Sequence, residues 1–440
     1  MVFANVNRKV GTGSNPETLD AIRKKLDGIR QDKSPFSNPP TGAEGRRARW
    51  VTPQLVAEVA FTEWTDEGTL RHPSFQGLRE DKKAREVIRE RAAAPNSDAE
   101  EDDAPKAVKR EEVKATKRGT KAAPSSGNVV VGVTISNPTK ELYPESGIAK
   151  LELARYYEAV GPWILPEIQG RPLTLVRCPN GWQAKCFFQK HAVDKASGAL
   201  DRVTVQENDG PAEYLMANSL EAVVTTLQMG ALELHPSGAR ADNLDHPDRI
   251  VMDFDLDEGL PWSDLVTAAT SMRALLETVG LVSFVKTTGG KGLHVVIPIE
   301  PTVLWDNAKG FSKALADMFS KAFPEKYLSH MSKAARRGKI FIDYLRNDAT
   351  ATAIAAYSLR ARKNAPVAMP ISWDELSDKK DLRADYFNVR NAMTRLKRQK
   401  KDPWAEITTL SQSLTDDMMK RVGFQPVAHP SAKKKNRWKR

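Results

Sequence analysis

Apolar residues along this chain recur in two rhythms. Short runs that alternate or are continuously apolar predict strands at Val56–Trp64, Val129–Ile135, Leu173–Arg177, Lys185–Gln189, Ile250–Leu256, Val282–Lys286, His294–Ile299 and Lys339–Tyr344. Longer amphipathic stretches predict helices over Pro16–Ile29, Ala149–Val160, Leu220–Gln228, Trp262–Val279, Asn307–Phe323 and Leu382–Leu396. Asn15 stands where an N-cap belongs, just ahead of Pro16, and Glu67-Gly68 marks a turn before Leu70. Strands and helices intermix without a regular strand–helix–strand period, so the pattern favours an α+β fold over a doubly wound sheet.

Composition divides the same pattern into segments. Residues 1–88 carry aromatics, β-type runs and turn signals. Residues 89–128 contain no aromatic, and 89–127 hold nine basic and eight acidic side chains. Such a polyampholyte buries too little apolar surface to fold alone and reads as a flexible charged linker. Residues 129–425 form the large globular part, and 426–440 a basic tail ending KKKNRWKR. The whole chain has 440 residues, 67 Lys and Arg against 56 Asp and Glu, and a formal charge of +11, a balance that points to a polyanionic partner. At 40% hydrophobic content a real core is available. No run approaches the roughly 18 apolar residues of a membrane span. Two cysteines, Cys178 and Cys186, are too few for a disulfide scaffold or a zinc finger and suit a reducing, cytoplasmic compartment.

Three patterns carry chemistry. In Val251-Met252-Asp253-Phe254-Asp255-Leu256-Asp257 strand alternation sets Asp253 and Asp255 on one face and Met252, Phe254 and Leu256 on the other. Two carboxylates about 4 Å apart repel by roughly 4 kcal/mol at an effective dielectric near 20, a penalty that protonation or a cation removes. Asp343, in the apolar run Ile340–Tyr344, is a third acid. Hard oxygen ligands of this kind suit Mg²⁺ or Mn²⁺; the competing reading is a solvated strand face running into the acidic turn Asp257-Glu258-Gly259. Next, Thr287-Thr288-Gly289-Gly290-Lys291-Gly292-Leu293-His294 joins two predicted strands. Its glycines let backbone N–H groups approach phosphate oxygens, although it is no Walker loop and an ordinary hairpin turn would also use them. Finally, Arg346, Arg360 and Arg362 follow the third acid. Arginine forks suit a triphosphate as well as surface ion pairs.

In their order, DFDLD, TTGGKGLHVVIP and FIDYLRN…ATAIAAYSLRAR resemble the three signature motifs of the archaeo-eukaryotic primase superfamily. The likeness is strongest to the polymerase domain of bacterial DNA ligase D, the end-joining repair enzyme, and covers about 129–425. Phe187-Phe188-Gln189-Lys190-His191, Leu234-His235-Pro236 and Ala365-Pro366-Val367 fit the same family. The resemblance implies a primase-polymerase domain with mixed and antiparallel sheets. It implies that Asp253, Asp255 and Asp343 hold two Mn²⁺ or Mg²⁺ ions. Thr288, His294, Arg346 and, within the same loop, Lys291 would hold the incoming triphosphate, Phe187 would stack on the base, and His235 would lie near the sugar, favouring ribonucleotides. Asn137, Lys140 and Lys150 would grip a DNA 5′-phosphate, while Arg336 and Arg360 would touch template or nucleotide. Thr288 stands where serine is usual, keeping the hydroxyl, and Asp257-Glu258-Gly259 replaces a proline-containing turn. The implied function is template-directed nucleotidyl transfer that fills gaps and extends broken ends, with NTP or dNTP, gapped DNA and DNA ends as substrates and Ku protein as partner. The implied site of action is the cytoplasm, at the bacterial nucleoid. The rivals are a two-metal phosphodiesterase and a noncatalytic DNA-end scaffold.

The N-terminal segment has its own resemblance. Arg49-Trp50-Val51, Val59–Trp64 and Leu70–Lys82, ending in Arg79-Glu80-Asp81-Lys82, are similar to the end of an ATP-dependent DNA ligase OB domain and its motif VI. A partial OB-fold barrel is expected there. Lys25-Leu26-Asp27-Gly28-Ile29-Arg30 fits the ligase nucleophile pattern, but it falls in a predicted helix only about 50 residues ahead of motif VI, where no nucleotidyltransferase domain fits. Ligase activity is therefore not expected from this chain.

Overall fold

The computed structural model describes residues 16–35, 48–60, 63–64, 70–71, 74–79, 126–192, 198–207, 210–330, 334–399 and 401–427. Most of the expected linker and the basic tail from 428 lie outside them, as do Asn15, the Glu67-Gly68 turn and Glu80–Lys82 of the motif VI match. The chain divides into two compact units, Met1–Arg118 and Gly119–Arg440.

In the first unit a helix spans Pro16–Asp27, with Lys25 in its last turn. Three antiparallel ladders follow: Arg30–Gln31 with Trp50–Val51, Val56–Ala60 with Ser74–Arg79, and Glu63–Trp64 with Leu70–Arg71. A barrel needs a hydrogen-bonded path that closes on itself. Among the described residues each ladder is a separate two-stranded sheet, so the expected partial OB barrel is not formed by them.

The second unit is α+β. Its first sheet contains β1 (Leu173–Arg177), β2 (Phe187–Gln189), β3 (Asp201–Glu207), β4 (Gly210–Met216) and β5 (Ala231–Pro236). All its pairings are antiparallel: β1 with β2, β4 and β5, and β3 with β4. The second sheet contains β6 (Arg249–Leu256), β7 (Phe284–Thr287), β8 (Gly292–Pro298), β9 (Tyr327–Leu328), β10 (Ile340–Asp343) and β11 (Pro370–Ile371), in the order β9-β10-β6-β8-β7-β11. Only the β9–β10 pairing is parallel. The helices are α1 (Lys150–Ile168), α2 (Leu220–Gln228), α3 (Trp262–Thr278), α4 (Trp305–Ala322), α5 (Trp373–Asp378), α6 (Val389–Arg398) and α7 (Asp416–Arg421). Helices α3 and α4 pack on the second sheet. They contribute Leu265, Met272, Phe311 and Leu315 to a core that also holds Met252 and Phe254, all fully buried. Among the described residues no helix is long and apolar enough to cross a membrane.

Several elements differ from the sequence pattern for identifiable reasons. The expected strand Val129–Ile135 is a hairpin of Val129–Val130 and Val133–Thr134, because Val131 and Gly132 take φ of 49° and 79° and reverse the chain. Helix α1 runs past Gly161 and through Pro162 and Pro166 instead of ending at Val160. Burial of Ile164 and Ile168 outweighs the prolines, and a Cβ on Gly161 would lie 2.8 Å from Leu220 Cδ2, so the glycine lets α2 approach. Helix α6 starts only at Val389, where the Asn388 side chain forms a capping box with Asn391. The β3–β4 hairpin and β5 are additional strands. Cys178 and Cys186, taken in sequence as fitting a reducing compartment, are joined in a disulfide. The antiparallel pairing of Arg177 with Phe187 sets Cys178, just after β1, beside Cys186, just before β2.

Gly310 marks where α4 meets the C-terminal segment, since a Cβ there would lie 2.2 Å from the Phe424 ring. Gly310→Ala should destabilise the protein by about 1–3 kcal/mol through overpacking. In a Phe424→Ala background the same change should stabilise by up to about 1 kcal/mol, the helix preference of alanine over glycine. Denaturant melts of the four proteins in this cycle read the sign reversal.

Candidate active site

Antiparallel register builds the site. Asp253 on β6 sits opposite His294 on β8 and opposite Asp343 on β10. His294 in turn sits opposite Lys286 on β7. Directly opposed residues share a face, so Lys286, His294, Asp253 and Asp343 form one row across four strands. In the next row Asp255 is opposed by Gly292 and Phe341. A Cβ on Gly292 would lie 2.0 Å from the Phe254 carbonyl oxygen and 3.3 Å from Asp255 Oδ1, so only glycine fits beside that carboxylate.

Arg346, in the turn after β10, closes the row. Its Nε lies 3.3 Å from Asp253 Oδ2 and 3.4 Å from Asp343 Oδ2, bridging the two acids. His294 Nε2 lies 3.3 Å from Asp253 Oδ1, and the Leu345 amide donates to Asp343 Oδ1 at 2.8 Å. Burial opposes ionisation of Asp253, but His294 and Arg346 outweigh it and hold the carboxyl well below the usual range. Among the described residues Asp255 has no hydrogen-bonded or ion-paired partner, and the charges of Arg346 and Arg336 only partly offset its environment. Burial, and then the charge of Asp253, push it up to about 7. Burial also raises Asp343. Burial and the neighbouring Lys286 lower His294 to about 4, so its imidazole is neutral and its buried Nδ1 has no hydrogen-bond partner among the described residues. Lys286, lowered to about 7 by burial and by Arg360, donates to the Ile354 carbonyl at 2.7 Å.

The glycine loop forms one wall. Thr288 Oγ1 donates to the Gly292 carbonyl at 3.0 Å and accepts from the amides of Gly290 and Gly292, so the hydroxyl knits the loop together. Gly289 takes φ of 65°, and a Cβ there would lie 2.7 Å from Arg360 Cγ. Lys291 pairs with Glu258 in the acidic turn after β6. The resulting cavity, about 370 Å³, is lined by Asp253, Asp255, Thr288, Lys291, His294, His235, Arg336, Arg346 and Arg360. That volume lies in the range of small-molecule sites. Arg336 lies over the Phe341 ring at 3.8 Å. Asp343 reaches the group through Arg346.

The other expected residues lie elsewhere. The Phe187 ring sits beneath the Arg177 guanidinium, 5.3 Å away, and is 43% exposed. Its neighbour Phe188, 69% exposed, stands edge-on to His235 at 6.4 Å between ring centroids. Asn137, Lys140 and Lys150 form a separate cluster: the Lys140 amide donates to the Asn137 carbonyl, and the Lys150 amide to the Lys140 carbonyl. Lys140 Nζ donates to Pro179 O and Asn180 Oδ1, and Lys150 Nζ to Gln228 O. Burial and the Lys140 charge lower Lys150 to about 8, a strain that an anion would relieve.

Some contributors escape the sequence pattern. Lys339 also lines the cavity, as does Arg362, one of the arginines singled out in sequence. Glu233, buried on β5, accepts from His235, Arg360 and the Ala361 amide. Only its i, i+2 spacing from His235 hints at a shared face.

The donors fit a hard divalent cation in chemistry: oxygen ligands, one of them an unpaired and partly protonated carboxyl. Among the described residues no three acidic, imidazole or thiolate groups already stand in a metal-holding arrangement, and Arg346 occupies the space between Asp253 and Asp343. The raised Asp255 value sets a sign. A carboxyl whose folded value lies above its unfolded one loses stability as pH rises from about 4 through about 7. In metal-free buffer Asp255→Asn should therefore melt a few degrees above the wild-type chain at pH 8 and within about a degree of it at pH 4. Added Mn²⁺ should stabilise the wild-type chain and not the variant. An advantage of the variant that was larger at pH 4 would contradict the assignment.

Comparison with known proteins identifies the family. A family described as the LigD primase-polymerase domain matches residues 149–404, and one described as the ATP-dependent DNA ligase C-terminal region matches residues 7–82. The multifunctional non-homologous end joining protein LigD of Pseudomonas aeruginosa is 35% identical over 418 residues, covering 94% of this chain and 47% of that protein. The bifunctional LigD of Bacillus subtilis is 26% identical over 261 residues, covering 59% of this chain and 42% of that protein. The chain thus spans about half the length, or less, of these curated relatives. A solved structure, the polymerase domain from Mycobacterium tuberculosis ligase D in complex with DNA, matches with a TM-score of 0.59 and 33% identity, covering 63% of this chain and 98% of that one. With more than half of its residues inside the first match, the chain belongs to the LigD primase-polymerase family, preceded by a stretch related to the C-terminal region of ATP-dependent DNA ligases.

Proposed function

We propose that this chain is a template-directed nucleotidyltransferase that fills gaps and extends broken DNA ends. A primer 3′-hydroxyl attacks the α-phosphate of a bound NTP or dNTP. The new P–O bond forms, the bond to pyrophosphate breaks, and the hydroxyl proton leaves. The observation that supports this best is the cross-strand row of Asp253, Asp343 and His294 at a cavity walled by the glycine loop and several arginines. Asp253, Asp255 and Asp343 would hold two Mn²⁺ or Mg²⁺ ions, which when bound would supply positive charge to acidify the hydroxyl and to offset the charge on the leaving phosphates.

The chain's own residues position the reactants. Arg346, shared between two acids, is placed to exchange a carboxylate for a phosphate oxygen. Lys291, next to the exposed Glu258, can make the same exchange. Thr288 accepts from the Gly290 and Gly292 amides and so holds the glycine loop in shape as one wall of the cavity. Neutral His294 donates to Asp253, keeping that carboxylate aimed. Phe187 and its neighbour Phe188 offer exposed aromatic faces for bases. The tuberculosis polymerase domain is described in complex with DNA and the relatives as end-joining proteins, which supports DNA ends and gaps as substrates here. Ku as the end-binding partner, and a preference for ribonucleotides, rest on the family resemblance.

Primer extension with Mn²⁺ and NTPs tests this reading. The wild-type chain should lengthen a labelled primer, and Asp253→Ala or Asp255→Ala should lower the rate at least about a hundredfold. Shortening of the primer would instead indicate a phosphodiesterase, and an unchanged primer a noncatalytic scaffold.

A second test addresses the separate lysine cluster. Lys140→Ala with Lys150→Ala should weaken binding to gapped DNA bearing a 5′-phosphate by about tenfold and leave 5′-hydroxyl DNA nearly unaffected. Equal losses on both would remove the phosphate role.

A further inference from the structure

Glu233 is buried at 6% exposure on β5, two residues before His235 and on the same face of the strand. Its two carboxylate oxygens are divided between different tasks. Oε1 accepts from Arg360 Nε at 3.1 Å and from the Ala361 amide at 2.9 Å. Oε2 faces His235 Nε2 at 2.8 Å. Rotating the carboxylate would break all three contacts together. The strand beneath it is also held, because the Leu234 amide donates to Ser358 Oγ and the Ala355 amide to the Leu234 carbonyl.

An ionised carboxylate is an acceptor only, so a ring nitrogen paired with it must carry the hydrogen. Burial by itself would raise Glu233, but the contacts from His235 and Arg360 hold it down at about 2 and therefore ionised. Burial lowers His235, so the ring is neutral. In a neutral imidazole with hydrogen on Nε2, Nδ1 is an acceptor. That nitrogen has no hydrogen-bond partner among the described residues, and His235 lines the cavity.

We propose that Glu233 is a positioning residue for sugar selection: it fixes the ring and tautomer of His235 so that Nδ1 accepts a hydrogen bond from a ribose 2′-hydroxyl. The inference rests on the reading above, in which the cavity holds a nucleoside triphosphate with its sugar beside His235. A deoxyribose has no 2′-hydroxyl to donate, and leaves Nδ1 desolvated and unpaired. Arg360 shares Glu233, but a disturbed Arg360 slows ribo- and deoxyribonucleotides alike and cancels in their ratio.

The experiment measures kcat/KM for NTP and for the matching dNTP in primer extension by the wild-type chain, Glu233→Ala, His235→Ala and the double variant. Each single variant should reduce the ribonucleotide preference by about tenfold, the worth of one hydrogen bond, and the double variant should reduce it no further. A preference retained in Glu233→Ala but lost in His235→Ala overturns the role of Glu233 and leaves the sugar reading intact. A preference retained in His235→Ala overturns the sugar reading and the inference with it. Imidazole ¹⁵N spectra add a readout independent of turnover. The wild-type His235 should carry its hydrogen on Nε2. In Glu233→Gln the amide oxygen should stay with Arg360 and Ala361, turn its NH₂ toward the ring and move the hydrogen to Nδ1. Wild-type hydrogen on Nδ1, or no change in the Gln variant, overturns the proposal even if Glu233→Ala fails to fold.

Discussion

Carboxylates on directly opposed positions of neighbouring strands stand about 5 Å apart at their Cβ atoms, and two such charges repel by roughly 3 kcal/mol at an effective dielectric near 20. The second sheet accepts that repulsion at its centre, between Asp253 and Asp343. Arg346 offsets it from one side and His294 from the other. Asp255, one row along, has neither partner, and its carboxyl rises to about 7 as a result of burial and the Asp253 charge. The site is thus a region where negative charge is concentrated and only partly compensated, the condition in which a bound cation contributes most.

The rest of the unit maintains that condition. Met252 and Phe254, buried in the core, fix the pleat so that the acids share the other face. Gly292 admits the Asp255 carboxylate where any side chain would strike the Phe254 carbonyl. Glu233 carries the first sheet's influence to the cavity through His235 and Arg360, and Arg360 reaches the glycine loop through the Thr288 carbonyl at 3.1 Å. Loop, sheet and arginine segment are therefore coupled by hydrogen bonds whose loss would loosen several walls together.

Much of this was legible in sequence because it is local. Period-two alternation places Asp253 and Asp255 on one face, glycines mark the phosphate-type loop, and β-branched runs bracket both. What was not legible depends on distant partners. The pairing of Asp253 with Asp343 joins residues far apart in the chain. Helix α1 passes two prolines because core burial outweighs them, and the Val131-Gly132 reversal hides inside an apolar run. The link between Cys178 and Cys186 follows from strand register. Phe188 was named in the pattern only beside Phe187, yet it stands nearer His235, a distinction that alternation allows but cannot orient.

On the proposed function, strand register gathers Asp253, Asp255 and Asp343 around bound cations. Anomalous diffraction from crystals grown with Mn²⁺ and a nonhydrolysable nucleotide tests it directly. Manganese density is expected within coordination distance of Asp253 and Asp255, with Asp343 joining and Arg346 drawn toward the phosphates. Manganese bound elsewhere, with Arg346 still bridging the two acids beside a seated nucleotide, would contradict it.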